Sequence, residues 1–560
     1  IYTGEDTLSL HDALPISIAN MGERFGFYTM MAILLLFLQA KFGLDQVEAG
    51  SIYSTFYFLI YVLALVGGFV ADRWLGLGKT IFSGIVLMFL GYIVIAIPGT
   101  GLYPVLGGLL IIALGNGLFK GNLQALVGNL YDDPKYSQLR DRAFSIFYMC
   151  INIGAIFAPH AATGIRNWWL AQHGLSYNGA LPKMCHDLIN GKLGDTSVMQ
   201  NLANEVSGGT AVTDLTVFAN TYLDVFNTGY HFAFAIAACS MLISMLVYTF
   251  AKKYLAPGDV TAAQQATAAA ASGVKIEKMP WIEEKKRLIA LGLVFLIVIF
   301  FWMSFHQNGV TLTLFARDYT ETHVGPGTSL IFNIFSLMGI AAGVGGLIVA
   351  FSKTRMLNRI IGVIAFVAGT AIAINFYNEF VAANGSPISP EIFQSFNPLF
   401  VVTLTPVVVG FFAWLNKKGI EPSAPRKIGI GMFLAAASFL IMIVGSLGLV
   451  APKDLAEGTD AERASAYWLI ATYFSLTISE LFLSPMGISF VSKVAPPRFK
   501  GLMQGGWLCA TALGNQLLVI GTILWGKAEI WQVWVFFTVC CIISGSIIFA
   551  LMKRLEAVAK

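Results

Sequence analysis

The chain is 560 residues long, and 56% of those residues are hydrophobic while only 12% are charged. A water-soluble protein of this size could not hide so much apolar surface, so the composition predicts a polytopic membrane protein. The formal net charge of +4 is small and gives no reason to propose nucleic-acid binding. The six cysteines show no metal-ligand spacing, so no metal site is predicted.

Residues 1–17 have neither a basic segment nor an apolar core, and they do not begin with Met, so they are not read as a signal peptide. We interpret them as a leader foreign to the rest of the chain, such as a sequencing artefact. The predicted fold therefore starts at residue 18.

About fourteen apolar windows are long enough to cross a bilayer as helices. They cover roughly 18–39, 47–71, 80–98, 103–131, 140–163, 229–251, 286–315, 330–351, 358–378, 395–415, 428–450, 466–491, 500–526 and 529–552. Lys and Arg concentrate in the loops on one side of this count, which predicts that both termini are cytoplasmic. The long segment 164–228 then lies outside the cytoplasm, and the protein is expected in the cytoplasmic (inner) membrane as a multi-pass chain.

A linker at 253–285 separates six predicted helices from eight. Two six-helix bundles joined by a cytoplasmic linker are the plan of the major facilitator fold, in which substrate binds between the bundles near mid-membrane. Two helices are surplus, and the pair at 330–378 is the best candidate for an insertion. The predicted bundles are 18–252 and 286–552, followed by a cytoplasmic tail at 553–560.

The first span carries two adjacent opposite charges, Glu23 and Arg24. Each charge costs roughly 2.5–3.5 kcal/mol at a helix centre on insertion scales, so such residues are functional candidates by default. Arg24, Tyr28 and Met31 share one helical face. The structural alternative is an ion pair that only locks the bundle together.

The loop after the second span, Gly67 to Thr80, is typical of the cytoplasmic gate loop of facilitators. Its glycines permit a tight turn, and its charges can meet helix ends or other ions. The predicted gate residues are Gly68, Asp72 and Arg73. An ordinary interhelical turn is the alternative.

Together, six motifs resemble the proton-dependent oligopeptide transporter (POT) family of the major facilitator superfamily, in its bacterial branch. They are Glu23-Arg24-Phe25, the Gly67–Thr80 loop, Gly115–Asn122, Phe144–Ala155, Phe396–Leu399 and Glu480–Gly487. Their order along the chain is that of the family, and the resemblance spans most of 18–552.

The resemblance implies a role for matching positions in the N-terminal half. Glu23, Arg24 and Lys120 would couple proton to substrate, and the two cations would also receive a peptide carboxylate. The polar lining would be completed by Tyr28, Tyr61, Tyr148 and Asn152. For any single tyrosine, packing or interface anchoring is an equal alternative.

In the C-terminal half, the resemblance places the α-amino group of the peptide on Glu480, with Asn397 as its second partner. Ser484 shares the face of Glu480, and Trp302 and Trp507 would form pocket walls. The alternatives are a buried Glu satisfied by a neighbouring helix, a helix cap for Asn397, and plain packing for the tryptophans.

Three positions depart from the family pattern. Asn20 stands where a first Glu is usual, Met31 where a basic or polar residue is common, and His306 where an acid is usual. Met31 replaces the usual basic residue and His306 replaces the usual acid, so neither substitution leaves a charged group without its partner. The imidazole of His306 can still titrate near neutral pH. We therefore include His306 among the proton-coupling candidates, with a plain hydrogen-bonded polar residue as the alternative.

The resemblance implies a symporter that imports di- and tripeptides with protons by alternating access. No cofactor is expected beyond the proton as coupling ion, and a monomer in the lipid bilayer is expected. No Gly-x4-Gly-Lys-Ser/Thr sequence occurs, which argues against ATP drive. The alternatives are another solute such as nitrate or an amino acid conjugate, weakened proton coupling, or a non-transporting sensor. An enzyme is the least favoured class because no nucleophile–base constellation is present.

Overall fold

The computed structural model describes residues 10–131, 137–261, 264, 279–352, 355–455 and 463–559, and these are almost entirely α-helical. Within those ranges fourteen helices are long and apolar enough to cross a membrane, which confirms the predicted all-α fold and span number. The predicted leader at 1–9 and the linker at 262–263 and 265–278 lie outside the described residues.

The N-terminal half has six crossing helices and two short ones. Their bounds are α1 Leu10–Phe42, α2 Gln46–Val70, α3 Leu77–Ala96, α4 Leu102–Leu130, α5 Ser137–Gln172, α6 Leu181–Ile189, α7 Ser197–Val206 and α8 Leu215–Leu255. Among the described membrane-crossing helices, α1 is the most enclosed, because 72% of its most apolar stretch is buried. It packs against α5 and α8, so its polar stripe lies inside the protein.

The C-terminal half begins with a helix that is broken near residue 306. Its helices are α9 Trp281–Phe305, α10 Thr311–Asp318, α11 Pro326–Phe332, α12 Ile334–Phe351, α13 Met356–Ala382, α14 Phe396–Lys417, α15 Ala424–Gly445, α16 Ala466–Val494, α17 Lys500–Gln516, α18 Val519–Trp525, α19 Ile530–Ala550 and α20 Met552–Ala559. Two short strands, β1 His323–Val324 and β2 Ser386–Pro387, pair in antiparallel fashion.

The predicted start of the fold at residue 18 is too late. Helix α1 begins at Leu10, and Ile16 and Ser17 are fully buried. The window missed this turn because its polar residues and Pro15 lower the local hydropathy, although a helix that packs on its neighbours can include them.

The segment 164–228 is mostly helical and is not the loop predicted from hydropathy. Helix α5 continues to Gln172, α8 starts at Leu215, and α6 and α7 lie between them. A hydropathy average selects fully apolar spans, so it does not detect short helices or the amphipathic ends of long ones. Helix α6 is tied to the core because the His186 Nε2 atom lies 2.8 Å from the Ala40 carbonyl oxygen.

Helices α12 and α13 correspond to the predicted inserted pair, and they pack through glycines. A Cβ atom on Gly346 would lie 2.5 Å from the Gly362 carbonyl oxygen, so the two backbones touch. Only 22% and 11% of their apolar windows are buried. Small residues that allow close backbone approach stabilise such helix pairs in lipid, and the remaining apolar faces are suited to lipid contact.

The contact between α2 and α4 gives a direct stability prediction. A Cβ on Gly67 would collide with the Gly117 carbonyl oxygen, while a Cβ on the adjacent Gly68 meets nothing within 4 Å. We expect Gly67→Ala to lower the melting temperature of the purified protein by several degrees, since backbone cannot yield as a flexible side chain can. Gly68→Ala, the matched control, should leave the melting temperature unchanged. Equal effects of the two substitutions would contradict the packing described.

Candidate functional site

The charged stripe of α1 forms a three-residue cluster with α4. The Arg24 Nε and Nη2 atoms donate to the two carboxylate oxygens of Glu23, at 2.5 and 2.7 Å. The Asn116 Nδ2 atom donates to Glu23 Oε1 at 2.8 Å. All three side chains are buried, so the pairing offsets the loss of hydration that isolated charges would suffer.

Lys120 lies within electrostatic range of Glu23 and Arg24, and its role in the coupling site stays a prediction. Its ammonium nitrogen lies 3.9 Å from the centroid of the Tyr61 ring, a cation–π contact. The α4 residue that bonds Glu23 is Asn116, one turn earlier. Sequence reasoning quoted Asn116 within a motif but gave it no role, because nothing in the motif indicates which side chain reaches α1.

Glu480 and Asn397 are brought together as the resemblance implied. The Asn397 Nδ2 atom lies 3.0 Å from Glu480 Oε2 and 3.1 Å from Thr477 Oγ1. Asn397 is the second residue of α14, and its amide points across to α16 rather than serving as a helix cap. The half-buried Glu480 carboxylate thus has an amide partner from the neighbouring helix of its own bundle.

Two tyrosines of the N-terminal bundle lie close to Glu480 of the other bundle. Tyr28 is within electrostatic range of both Arg24 and Glu480. Tyr148 is also within range of Glu480, and the residue is 51% exposed. The Asn152 Nδ2 atom donates to the Tyr148 carbonyl oxygen at 2.9 Å. The cationic and anionic ends therefore belong to different bundles and face one another.

The two tryptophans are mainly packed walls. Trp507 is buried against Gly487, where no side chain could fit without striking the indole ring. Trp302 is buried and stacks on His306, with ring centroids 5.0 Å apart. Ser484 is half-buried one turn after Glu480. These residues shape the C-terminal wall, and the buried Trp302 indole nitrogen has no hydrogen-bond partner among the described residues.

His306 lies at the junction of the two halves. Its Nδ1 atom is 2.5 Å from Asn515 Oδ1, and its ring centroid is 4.7 Å from that of Tyr57 on α2. The side chain is only 6% exposed. The proposed link between His306 and Met31 stays a prediction.

The predicted gate loop turns at only one of its glycines. Helix α2 continues into a π-helical turn at Ala71–Leu75, which carries exposed Asp72 and Arg73, and the reversal occurs at Gly76, whose φ is +76°. Gly68 lies inside helix α2 and has an ordinary helical backbone conformation. Only glycine adopts the left-handed region readily, so Gly76 is the true turn residue.

A residue outside the loop motif holds its second half in place. The backbone N–H of Gly78 donates to Asp259 Oδ1 at 2.8 Å. Gly76, the N-cap of α3, has no side chain to cap the helix, so Asp259 supplies the acceptor from beyond α8. Sequence reasoning missed Asp259 because its partner lies 181 residues away.

The opposite side of the membrane is closed by a second buried ion pair. Arg166, near the end of α5, donates to Glu391 in the 3₁₀ turn Pro390–Ser395 before α14, and both side chains are fully buried. The Tyr230 hydroxyl is 3.1 Å from Glu391 Oε1. Because α5 and α14 belong to different halves, the pair bridges the bundles on the side remote from the gate loop.

Two membrane-crossing helical bundles carry opposite charges, and a buried ion pair joins them on one side. This arrangement is typical of a membrane transporter. A family model described as the POT family matches residues 78–258 and 361–529, and the chain belongs to this family. It is therefore a transporter and not an enzyme, and transporters of this family need no cofactor.

Relatives of known name are similar over most of the chain. "Peptide transporter YePEPT" of Yersinia enterocolitica is 29% identical, covering 89% of this chain and 84% of the relative. "Dipeptide and tripeptide permease A" of Escherichia coli is 26% identical, covering 89% and 80%. These matches extend beyond single motifs and include both bundles.

Solved structures share the fold. A peptide transporter POT in complex with sulfate has a TM-score of 0.66 at 21% identity, covering 98% of this chain and 95% of that chain. A POT family transporter in complex with a thioalcohol conjugated peptide also has a TM-score of 0.66, at 20% identity with 97% and 96% covered. The predicted two-bundle facilitator fold is thereby confirmed.

The Arg166–Glu391 pair yields a stability prediction. Removing one partner of a buried pair leaves an uncompensated charge and typically costs about 3–5 kcal/mol. We expect Glu391→Ala to lower the melting temperature markedly, and Arg166→Met with Glu391→Met together to restore most of it. As a control, Glu283→Ala, which removes the partly exposed partner of Arg287, should have little effect. A melting temperature of Glu391→Ala equal to wild type would contradict a stabilising role for the pair.

Proposed function

We propose that this chain is a proton-coupled symporter that imports di- and tripeptides across the cytoplasmic membrane by alternating access. One observation carries the proposal. Tyr28 lies within electrostatic range of the Arg24 cation on its own bundle and of the Glu480 carboxylate on the other bundle, and Lys120 lies within range of Arg24. A short peptide is a zwitterion whose two ends match these charges.

The binding of such a peptide follows from charge complementarity in a site of low polarity. The carboxylate of the peptide would bind Arg24 and Lys120. Its ammonium group would bind Glu480 and the side-chain oxygen of Asn397. Charge-assisted hydrogen bonds of this kind are stronger than neutral ones. Side chains of the peptide would contact Tyr148 and the tryptophan walls, which fits binding by backbone ends rather than by one side-chain type.

The closed face supports alternating access. Arg166 and Glu391 join the bundles on the side predicted to be outside, so this ion pair would hold that side closed. With both termini cytoplasmic, release of the peptide would precede separation of this pair and reopening outward. A single chain supplies both bundles, and we propose that it acts as a monomer.

Protons are the proposed coupling ions, acting on the cluster of Glu23, Arg24 and Lys120 and on His306. A proton bound by Glu23 would neutralise that carboxylate and release its hold on Arg24, so the peptide carboxylate could then bind there, which is a physical route to coupling. A second candidate is the same transport with weakened proton coupling. Asn20 favours it, because it is buried where the family has an acid and cannot carry a proton.

Uptake of labelled dialanine into proteoliposomes tests the proposal. We expect accumulation that depends on an inward proton gradient and falls at least about 10-fold in Lys120→Ala and in Glu480→Ala, since each removes a charged partner of the peptide. Lys183→Ala, a largely exposed lysine, is the control and should transport normally. Uptake without gradient dependence would support the weakly coupled alternative, and no peptide uptake would overturn the proposal.

The imidazole proposal has its own test. If His306 contributes to coupling, His306→Gln should flatten the dependence of uptake on external pH, because the amide cannot change its charge. The measurement is the initial rate of dipeptide uptake at each pH. A profile identical to wild type would remove His306 from the coupling residues.

A further inference from the structure

Asn116 makes the contact that organises the cationic end of the site. It is fully buried on α4, and its Nδ2 atom donates to Glu23 Oε1 at 2.8 Å. The same oxygen accepts from Arg24 Nη2, and the other oxygen accepts from Arg24 Nε. Three donors from two helices thus fix one carboxylate.

This arrangement makes the two cations unequal. Arg24 directs two of its donors to Glu23, and its guanidinium carbon lies 4.8 Å from the centroid of the Phe27 ring. A peptide carboxylate would have to displace Glu23 to gain those donors. Lys120 is within electrostatic range of Glu23, but its direct contact is with the Tyr61 ring, which a carboxylate can replace without breaking the hydrogen-bonded Glu23–Arg24 pair.

The orientation of the Asn116 amide argues against a space-filling role. Its Oδ1 atom is buried without a hydrogen-bond partner among the described residues. Buried acceptors are normally satisfied. Because this one is not, the contact of Nδ2 with Glu23 is what determines the orientation of the amide. Asn122, two residues after Lys120, shows the structural alternative: its amide donates only to the backbone carbonyls of Gly67 and Leu118.

We infer that Asn116 is a positioning residue that holds Glu23 on Arg24 and thereby leaves Lys120 as the main receptor for the substrate carboxylate. The inference rests on the proposed function and adds the division of labour between the cations. It also explains why α4 presents Asn116 and Lys120 one turn apart on the same face. One holds the carboxylate of the protein, and the other is left for the carboxylate of the ligand.

The test compares two ligands that differ only at the carboxylate, dialanine and dialanine amide, by competition against a labelled dipeptide on purified protein. We expect wild type to prefer the acid by about 10-fold, the value of one charge-assisted hydrogen bond. Lys120→Ala should abolish the preference. Asn116→Leu combined with Lys120→Ala should restore a preference of about 3-fold or more, because the Glu23–Arg24 pair can then open to the ligand.

Controls separate positioning from general damage. Asn122→Leu with Lys120→Ala removes a different buried amide of α4 and should leave the preference abolished. If Asn116→Leu does not fold, Asn116→Ser with Lys120→Ala removes the long amide with less change, and the same recovery is expected. Persistence of the preference in Lys120→Ala, or no recovery in either double variant, would overturn the inference. Failure of wild type to bind dialanine would overturn the proposed function instead.

Discussion

The requirement that charges inside a membrane protein have partners organises this structure. Glu23 and Arg24 are adjacent in sequence and buried in the most enclosed helix, and they are stable there because each satisfies the other. The geometry of the site follows from that pairing. Arg24 and Asn116 both donate to the Glu23 carboxylate, and Lys120 lies against the Tyr61 ring. Glu480 provides the complementary charge on the other bundle.

The same constraint governs closure. On the side remote from the gate loop, Arg166 and Glu391 are buried only because they meet, and they belong to different bundles. Opening that side must separate them, which requires compensation from water. On the gate-loop side, Asp259 caps α3 from beyond α8 and keeps the loop attached to its own bundle. Each face therefore has a polar contact with a distinct role, one between bundles and one within a bundle.

Much of this could be predicted from the sequence. Fourteen spans follow from hydropathy, since the bilayer sets helix length, and the Asn397–Glu480 contact follows from motifs. Helices α6 and α7 could not be predicted by windows because they are short and amphipathic. The partners Arg166 and Glu391 are 225 residues apart, and no local pattern joins them. Whether Asn116 or Lys120 reaches Glu23 depends on the rotation of α4, which packing decides.

The central claim is that the two ends of the cleft recognise the two ends of a peptide. A cryo-electron microscopy structure with bound dialanine tests it most directly. We expect the carboxylate of the ligand to lie within hydrogen-bonding distance of Lys120 Nζ and its ammonium group to lie beside Glu480 and Asn397. A peptide bound in the reverse orientation, or outside the space between the bundles, would contradict the account.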